Sequence, residues 1–200
     1  MEAEHKTRPI LFNGEMVRAI LDGRKTQTRR PVKPKPDCVW DYPQSIGSDG
    51  GAMIRWGNHV ISTQPPLGMP GDRLYVRETW AEGFTYAGEY ACVFFRANKT
   101  CRIKDSSTST VFTNQPTAPN ENMKWKPSIH MPKWASRITL EITAVRVERV
   151  QEISDDDARA EGATIASEGD CFQDAFRRLY ESIYGTGNDW VWVYEFRVVN

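Results

Sequence analysis

The chain is poor in the residues that build metal centres. It has three histidines, His5, His59 and His130, and four cysteines, Cys38, Cys92, Cys101 and Cys171. No C-x-x-C pair occurs and the spacing fits no zinc template, so neither a metal nor a cofactor is expected. Cysteines this sparse fit free thiols in a reducing compartment. No apolar run approaches the roughly 18 residues that span a bilayer. The first residues, Met1 to Lys6, lack the apolar core of a signal peptide. These absences lead us to expect a cytoplasmic protein with no membrane partner. There are no internal repeats, and 26 basic residues balance 26 acidic ones, which excludes a bulk polycation. A length of 200 residues fits a single domain over 1–200.

The balanced total hides a segregation of charge. Gly23-Arg24-Lys25-Thr26-Gln27-Thr28-Arg29-Arg30 packs four cations and two hydroxyls into eight residues without an acid. Lys33 and Lys35 extend this basic run. An acidic run lies far along the chain, with Glu152, Asp155, Asp156, Asp157, Glu161, Glu168, Asp170 and Asp174 relieved only by Arg159. A dense basic segment suits phosphate, which Arg forks and Thr hydroxyls recognise well. The competing reading is that the two runs neutralise each other across the fold.

Periodicity places the elements. Pro9 to Phe12 reads as a strand, and Asn13 caps a helix reaching Leu21, with Gly23 at the left-handed closing position. Residues 31–70, rich in Pro and Gly, read as a first insertion with one short strand near Asn58 to Ser62. Arg73 to Trp80 and Ala91 to Arg96 read as strands. Residues 98–125, polar and rich in Ser, Thr, Asn and Pro, read as a second loop insertion. From Ser136 to Val150 apolar residues alternate, but the phase flips between Ile142 and Val145. Period two cannot change faces without an extra residue, so a bulge or bend is expected between Thr143 and Val145. Ser154 caps a helix that Gly162 ends after Glu161, and a second helix follows Asp170 and closes at Gly185. Trp190 to Val199, apolar on both faces, reads as a central strand. The expected fold is α+β, a small mixed β-barrel with flanking helices and two long loop insertions.

At these residues the chain resembles the ASCH family of PUA-like barrels. The resemblance rests on Gly23-Arg24-Lys25-Thr26-Gln27-Thr28-Arg29, on Gly71-Asp72-Arg73-Leu74 entering a strand, on the strand from Ile138 to Val147, and on Trp192-Val193-Tyr194-Glu195-Phe196. Arg77-Glu78-Thr79-Trp80 and the stretch from Trp125 to Pro132 look like the long forms found in phages and prophages. What the resemblance implies is a PUA-like barrel with a cleft for RNA or a modified nucleoside. A bacterial member of the family hydrolyses acetylcytidine, and its catalytic Lys, Thr and Glu match Lys25, Thr28 and, by position, Glu161.

That chemistry needs a nucleophile or held water, a base, and a proton for the leaving nitrogen. Thr28, Lys25 and Glu161 are the candidates for these roles. Lys25 and Thr28 are three apart, so a regular strand would point them to opposite faces, and the pairing requires a turn between them. Arg24, Thr26, Arg29 and Arg30 are candidate ligand contacts, and Trp56, Trp125 and Trp134 are candidate base-stacking residues. Three other readings stand beside the hydrolase: a non-catalytic reader of nucleic acid, a ribonuclease on single-stranded RNA, and a phage accessory protein that binds a host protein.

Overall fold

A computed structural model describes residues 5–33, 52–56, 59–84, 91–104, 110–113, 123–165, 169–185 and 189–199. It is an α+β protein built on a five-stranded sheet. The strands are β1 (Thr7–Leu11), β2 (Gln27–Pro31), β5 (Arg73–Arg77), β10 (Thr139–Arg149) and β11 (Trp190–Val199), in the order β1-β5-β10-β11-β2. Only the β1–β5 pairing is parallel.

The closing strand β11 is flanked by β10 and β2, as its two apolar faces predict. Trp192, Tyr194 and Phe196 enter the main core with Leu74, Val76, Leu140 and Ile142. That core is covered by Val17 and Ile20 of helix α1 (Gly14–Leu21). Val191 and Val193 point the other way and meet Ile153, Ala158, Phe176 and Tyr180. These last residues belong to or flank helices α2 (Asp155–Ala160) and α3 (Phe172–Tyr184). One strand therefore carries two cores, and α1 lies on the opposite side of the sheet from α2 and α3.

Local signals hold where the sequence placed them. The Asn13 side chain accepts from the Met16 N–H at 2.8 Å, and Ser154 Oγ accepts from the Asp157 N–H at 3.1 Å. In the β10–β11 ladder Ile142 faces Phe196 and Ala144 faces Glu195, leaving Thr143 as the extra residue. The bulge lets Ile142 and Val145 enter the same core despite their odd spacing.

A second sheet is an antiparallel meander of β6 (Trp80–Phe84), β7 (Ala91–Phe95), β8 (Thr100–Lys104) and β9 (Thr110–Thr113). Here the structure corrects the sequence reading, because β8 and β9 lie in the supposed loop insertion. The polar letters of 98–113 hide a strand whose order comes from its partner: β7 is strongly apolar, and Cys101 pairs with Phe94 and joins its buried cluster. The short strand expected near Asn58 to Ser62 is β4 (His59–Thr63), and its hairpin partner β3 (Ala52–Trp56) was not foreseen. Among the described residues the strands close into no barrel, and β1 and β2 remain the edges of the five-stranded sheet. No described helix is long and apolar enough to cross a membrane.

Candidate functional site

The basic segment is pinned before it becomes a strand. After α1, Gly23 adopts φ 73° and its N–H returns to Ile20 O. The Arg24 and Lys25 N–H groups then both reach Ala19 O, at 2.8 and 2.9 Å. The Thr26 N–H donates to Ala160 O at 2.8 Å, and Thr26 O accepts from the Phe196 N–H at 2.9 Å. These bonds tie residues 24–26 to the ends of α1 and α2 and to β11.

The end of α2 closes directly on Lys25. Gly162, at φ 81°, turns the chain there, and a Cβ on it would lie 3.0 Å from Ala19 Cβ and 3.2 Å from Lys25 Cβ. Both the backbone conformation and the close approach require glycine. Glu161, the last residue of the helix end, is thereby set against the Lys25 side chain.

Lys25 and Glu161 are both buried, with side chains 0% and 5% exposed. Lys25 Nζ donates to Glu161 Oε2, Glu161 O and Gln27 O, each at 2.7 Å. An ammonium has three N–H bonds, and all three are engaged. Arg29 NH1 meets the other oxygen of Glu161 at 3.1 Å. Arg29 also donates through Nε to Glu148 Oε1 at 2.8 Å and through NH2 to Asp157 Oδ2 at 3.1 Å. Arg146 completes the network, meeting Glu148 at 3.1 Å, Asp157 at 2.9 Å, and Glu195. Gln27 Nε2 donates to Asp157 Oδ1 at 2.9 Å.

Four carboxylates thus enclose three cations, and the basic segment is answered chiefly by α2 of the acidic run. Burial pushes the Lys25 ammonium below its ordinary value, opposed by the Glu161 carboxylate and its hydrogen bond, with Arg30 and Arg29 adding to the depression. Burial raises Asp157, but the Gln27 hydrogen bond and the charges of Arg29 and Arg146 outweigh it and hold the carboxyl below its usual range.

The other sequence candidates separate. Thr28 is buried opposite Tyr194 in the β2–β11 ladder. Strand alternation puts Thr28 and Arg30 on one face of β2 and Gln27 and Arg29 on the other, so Thr28 stands apart from the Arg29 network. Arg24 is exposed and paired with Asp22 at 3.0 Å, and Thr26 is exposed. Arg30 donates to Arg29 O, Leu11 O and Tyr184 Oη. Trp125 packs against the β6–β8 cluster, and Trp134 lies edge-on to Trp80 at 6.1 Å, so both pack on the second sheet. The Trp56 side chain lies outside the described residues.

Sequence reading missed Glu148, Asp157, Arg146 and Glu195 as members of this network. Arg146 and Glu148 share a face of β10 by their spacing of two, which is the signal that marks them as a pair. Glu161 also reaches a cavity of about 320 Å³ with Arg18, Arg24, Glu15, Met16 and Thr164 on its walls. Among the described residues no group of acidic, Cys and His side chains is arranged to hold a metal. No protein-family profile, curated protein or solved structure matches this chain.

Proposed function

We propose that the protein is an ASCH-type, PUA-like binder of RNA or a modified nucleoside, with hydrolysis of an N-acylated cytidine as its reaction. The observation that carries this reading is the buried contact of Lys25 with Glu161, the member of the pair that lines the 320 Å³ cavity. A space of that size falls in the lower range of small-ligand sites, about 300–1,000 Å³. The barrel part of the reading draws on the sheet edges: Arg30 NH2 of β2 donates to Leu11 O of β1 at 3.3 Å, so the two edge strands are bridged by a side chain.

In this mechanism water is the nucleophile, because Thr28 and Arg29 occupy opposite faces of β2. The water oxygen bonds to the acyl carbon and the bond from that carbon to the exocyclic nitrogen breaks. The water's proton passes to the departing nitrogen through Glu161, yielding cytidine and the free acid. Each Glu161 oxygen accepts one bond from Lys25 or Arg29 and keeps a second lone pair for this transfer. Lys25, with no lone pair free, orients Glu161 and does not act as the base.

The test is release of cytidine from acetylcytidine, followed by chromatography, for the wild type, Glu161→Gln and Lys25→Ala. Circular dichroism confirms that each is folded. Turnover lost in the folded Glu161→Gln variant supports the hydrolase. A folded wild type without turnover rejects it and leaves the non-catalytic reader, which the fully engaged Lys25 ammonium favours. That reading requires RNA binding that weakens with salt as counterions are released.

A further inference from the structure

A second cavity, of about 350 Å³, lies beside β2, whose Arg30 bridges the seam to β1 through Leu11 O. Its walls include Arg30 and Lys33 from β2 and its end, Pro66 and Leu67 from the segment before β5, Tyr184 from α3 and Trp192 from β11. Among its described lining residues there is no carboxylate. That distinguishes it from the Glu161 cavity, where Glu15 and Glu161 accompany Arg18 and Arg24.

Among the described residues no carboxylate pairs with Arg30. Its three hydrogen bonds go to neutral oxygens, Arg29 O at 3.1 Å, Leu11 O at 3.3 Å and Tyr184 Oη at 3.4 Å. It also lies over the Phe12 ring, 5.6 Å from the centroid. Arg29, the next residue, is satisfied by carboxylates on the other face of the same strand. The guanidinium is therefore fixed in place by neutral partners while its charge stays available. Lys33, exposed, adds a second cation at the rim.

The remaining walls suit a planar ring. Tyr184 is 39% exposed, and its ring rests on Tyr180 with centroids 4.8 Å apart. Its hydroxyl is held by Arg30, which fixes the ring beside the guanidinium. The Leu67 N–H donates to Tyr194 Oη at 3.2 Å, which anchors the Pro66–Leu67 wall to the sheet. An aromatic surface next to two cations, with no carboxylate among the described lining residues, selects a ligand that is flat at one end and anionic at the other.

We propose that this seam cavity binds a nucleotide, its phosphate on Arg30 and Lys33 and its base against Tyr184. The ligand is either a free nucleoside monophosphate or one nucleotide of an RNA strand. The proposal does not depend on hydrolysis at Glu161, so loss of acetylcytidine turnover leaves it standing.

The test is calorimetric titration of the full chain with cytidine 5′-monophosphate, cytidine, inorganic phosphate and a short oligoribonucleotide. The variants are Arg30→Gln, Lys33→Glu and Tyr184→Ala. Lys33 is exposed, so its reversal retains the fold even if Arg30→Gln does not. The monophosphate is expected to bind more tightly than cytidine or phosphate alone. Loss of one charge-assisted contact in Lys33→Glu is expected to weaken it about tenfold or more. Tyr184→Ala is expected to weaken the monophosphate while leaving inorganic phosphate unchanged. Tighter binding of the oligoribonucleotide, with the same variant sensitivity, identifies an RNA strand as the source. A wild type that binds neither the monophosphate nor the oligoribonucleotide overturns the proposal. So does binding that Lys33→Glu leaves unchanged.

Discussion

Lys25 and Glu161 stand 136 positions apart and meet at 2.7 Å, and Arg29 takes the other oxygen of the same carboxylate at 3.1 Å. A buried pair of this kind is costly to desolvate, and its value depends on how completely its hydrogen bonds are satisfied. Here every Lys25 N–H has an acceptor and Arg29 spreads its donors over Glu148, Asp157 and Glu161. The arrangement makes the charged pair tolerable and ties β2, β10 and the end of α2 into one unit. It also holds Glu161 in one orientation at the cavity wall.

Arg29 acts through its planar fork. A lysine there supplies one compact charge and cannot reach Glu148, Asp157 and Glu161 together. Arg29→Lys is expected to destabilise the protein by about 1.5–3 kcal/mol, and Arg29→Met by about 3–5 kcal/mol, because the buried Glu161 and the half-buried Glu148 and Asp157 lose a partner. Urea unfolding measures both. A loss under about 0.5 kcal/mol for Arg29→Met, the range of ordinary surface changes, would refute a structural role for the network.

Asp157 should make the fold acid-sensitive. Its folded carboxyl sits below the ordinary value of 3.8, since the Gln27 bond and the charges of Arg29 and Arg146 outweigh the effect of burial. That stabilisation is fully present above the unfolded value and disappears as pH falls through the lower folded value. The stability gap between wild type and Asp157→Asn should therefore be constant above about pH 4 and shrink below it. Unfolding curves across acidic pH give the answer, and a gap that stays constant to the lowest pH would show that Asp157 is not held ionised by its partners.

Glu78 has the opposite sign. Burial pushes its carboxyl above the ordinary 4.5, while the Arg137 hydrogen bond at 2.8 Å and the Arg137 charge oppose this. Ionisation therefore weighs against the folded state as pH rises through the folded value. Arg137→Ala removes the opposing cation, and its destabilisation should widen as pH climbs above 4.5. Thermal melting at a series of pH values tests this. A loss of equal size at every pH would assign Arg137 to packing on Phe95, whose ring lies 4.1 Å from its guanidinium, and not to charge pairing.

What was legible in the sequence was what acts over a few residues. Asn13 and Ser154 cap helices through bonds that span three positions, and Gly23 and Gly162 end them because only glycine adopts the required φ readily. The bulge at Thr143 was written in a phase error of alternation, and the two apolar faces of Trp190 to Val199 announced a central strand. The same alternation rule gave the expectation that Lys25 and Thr28 part unless a turn lies between them. By contrast, β8 was hidden because its mixed letters pair with the apolar β7, and β9 because it is a short Thr-Val-Phe-Thr segment that pairs with β8. The sequence alone therefore determined the chain's local punctuation, its α+β character and its segregated charge. Only the tertiary structure decided that Lys25 and Arg29 turn inward to Glu161 and Asp157 while Arg30 turns to the seam, where its described partners are neutral oxygens. Capping is a contact between near neighbours in the chain, whereas an ion pair across 136 positions depends on which strand lies beside which helix.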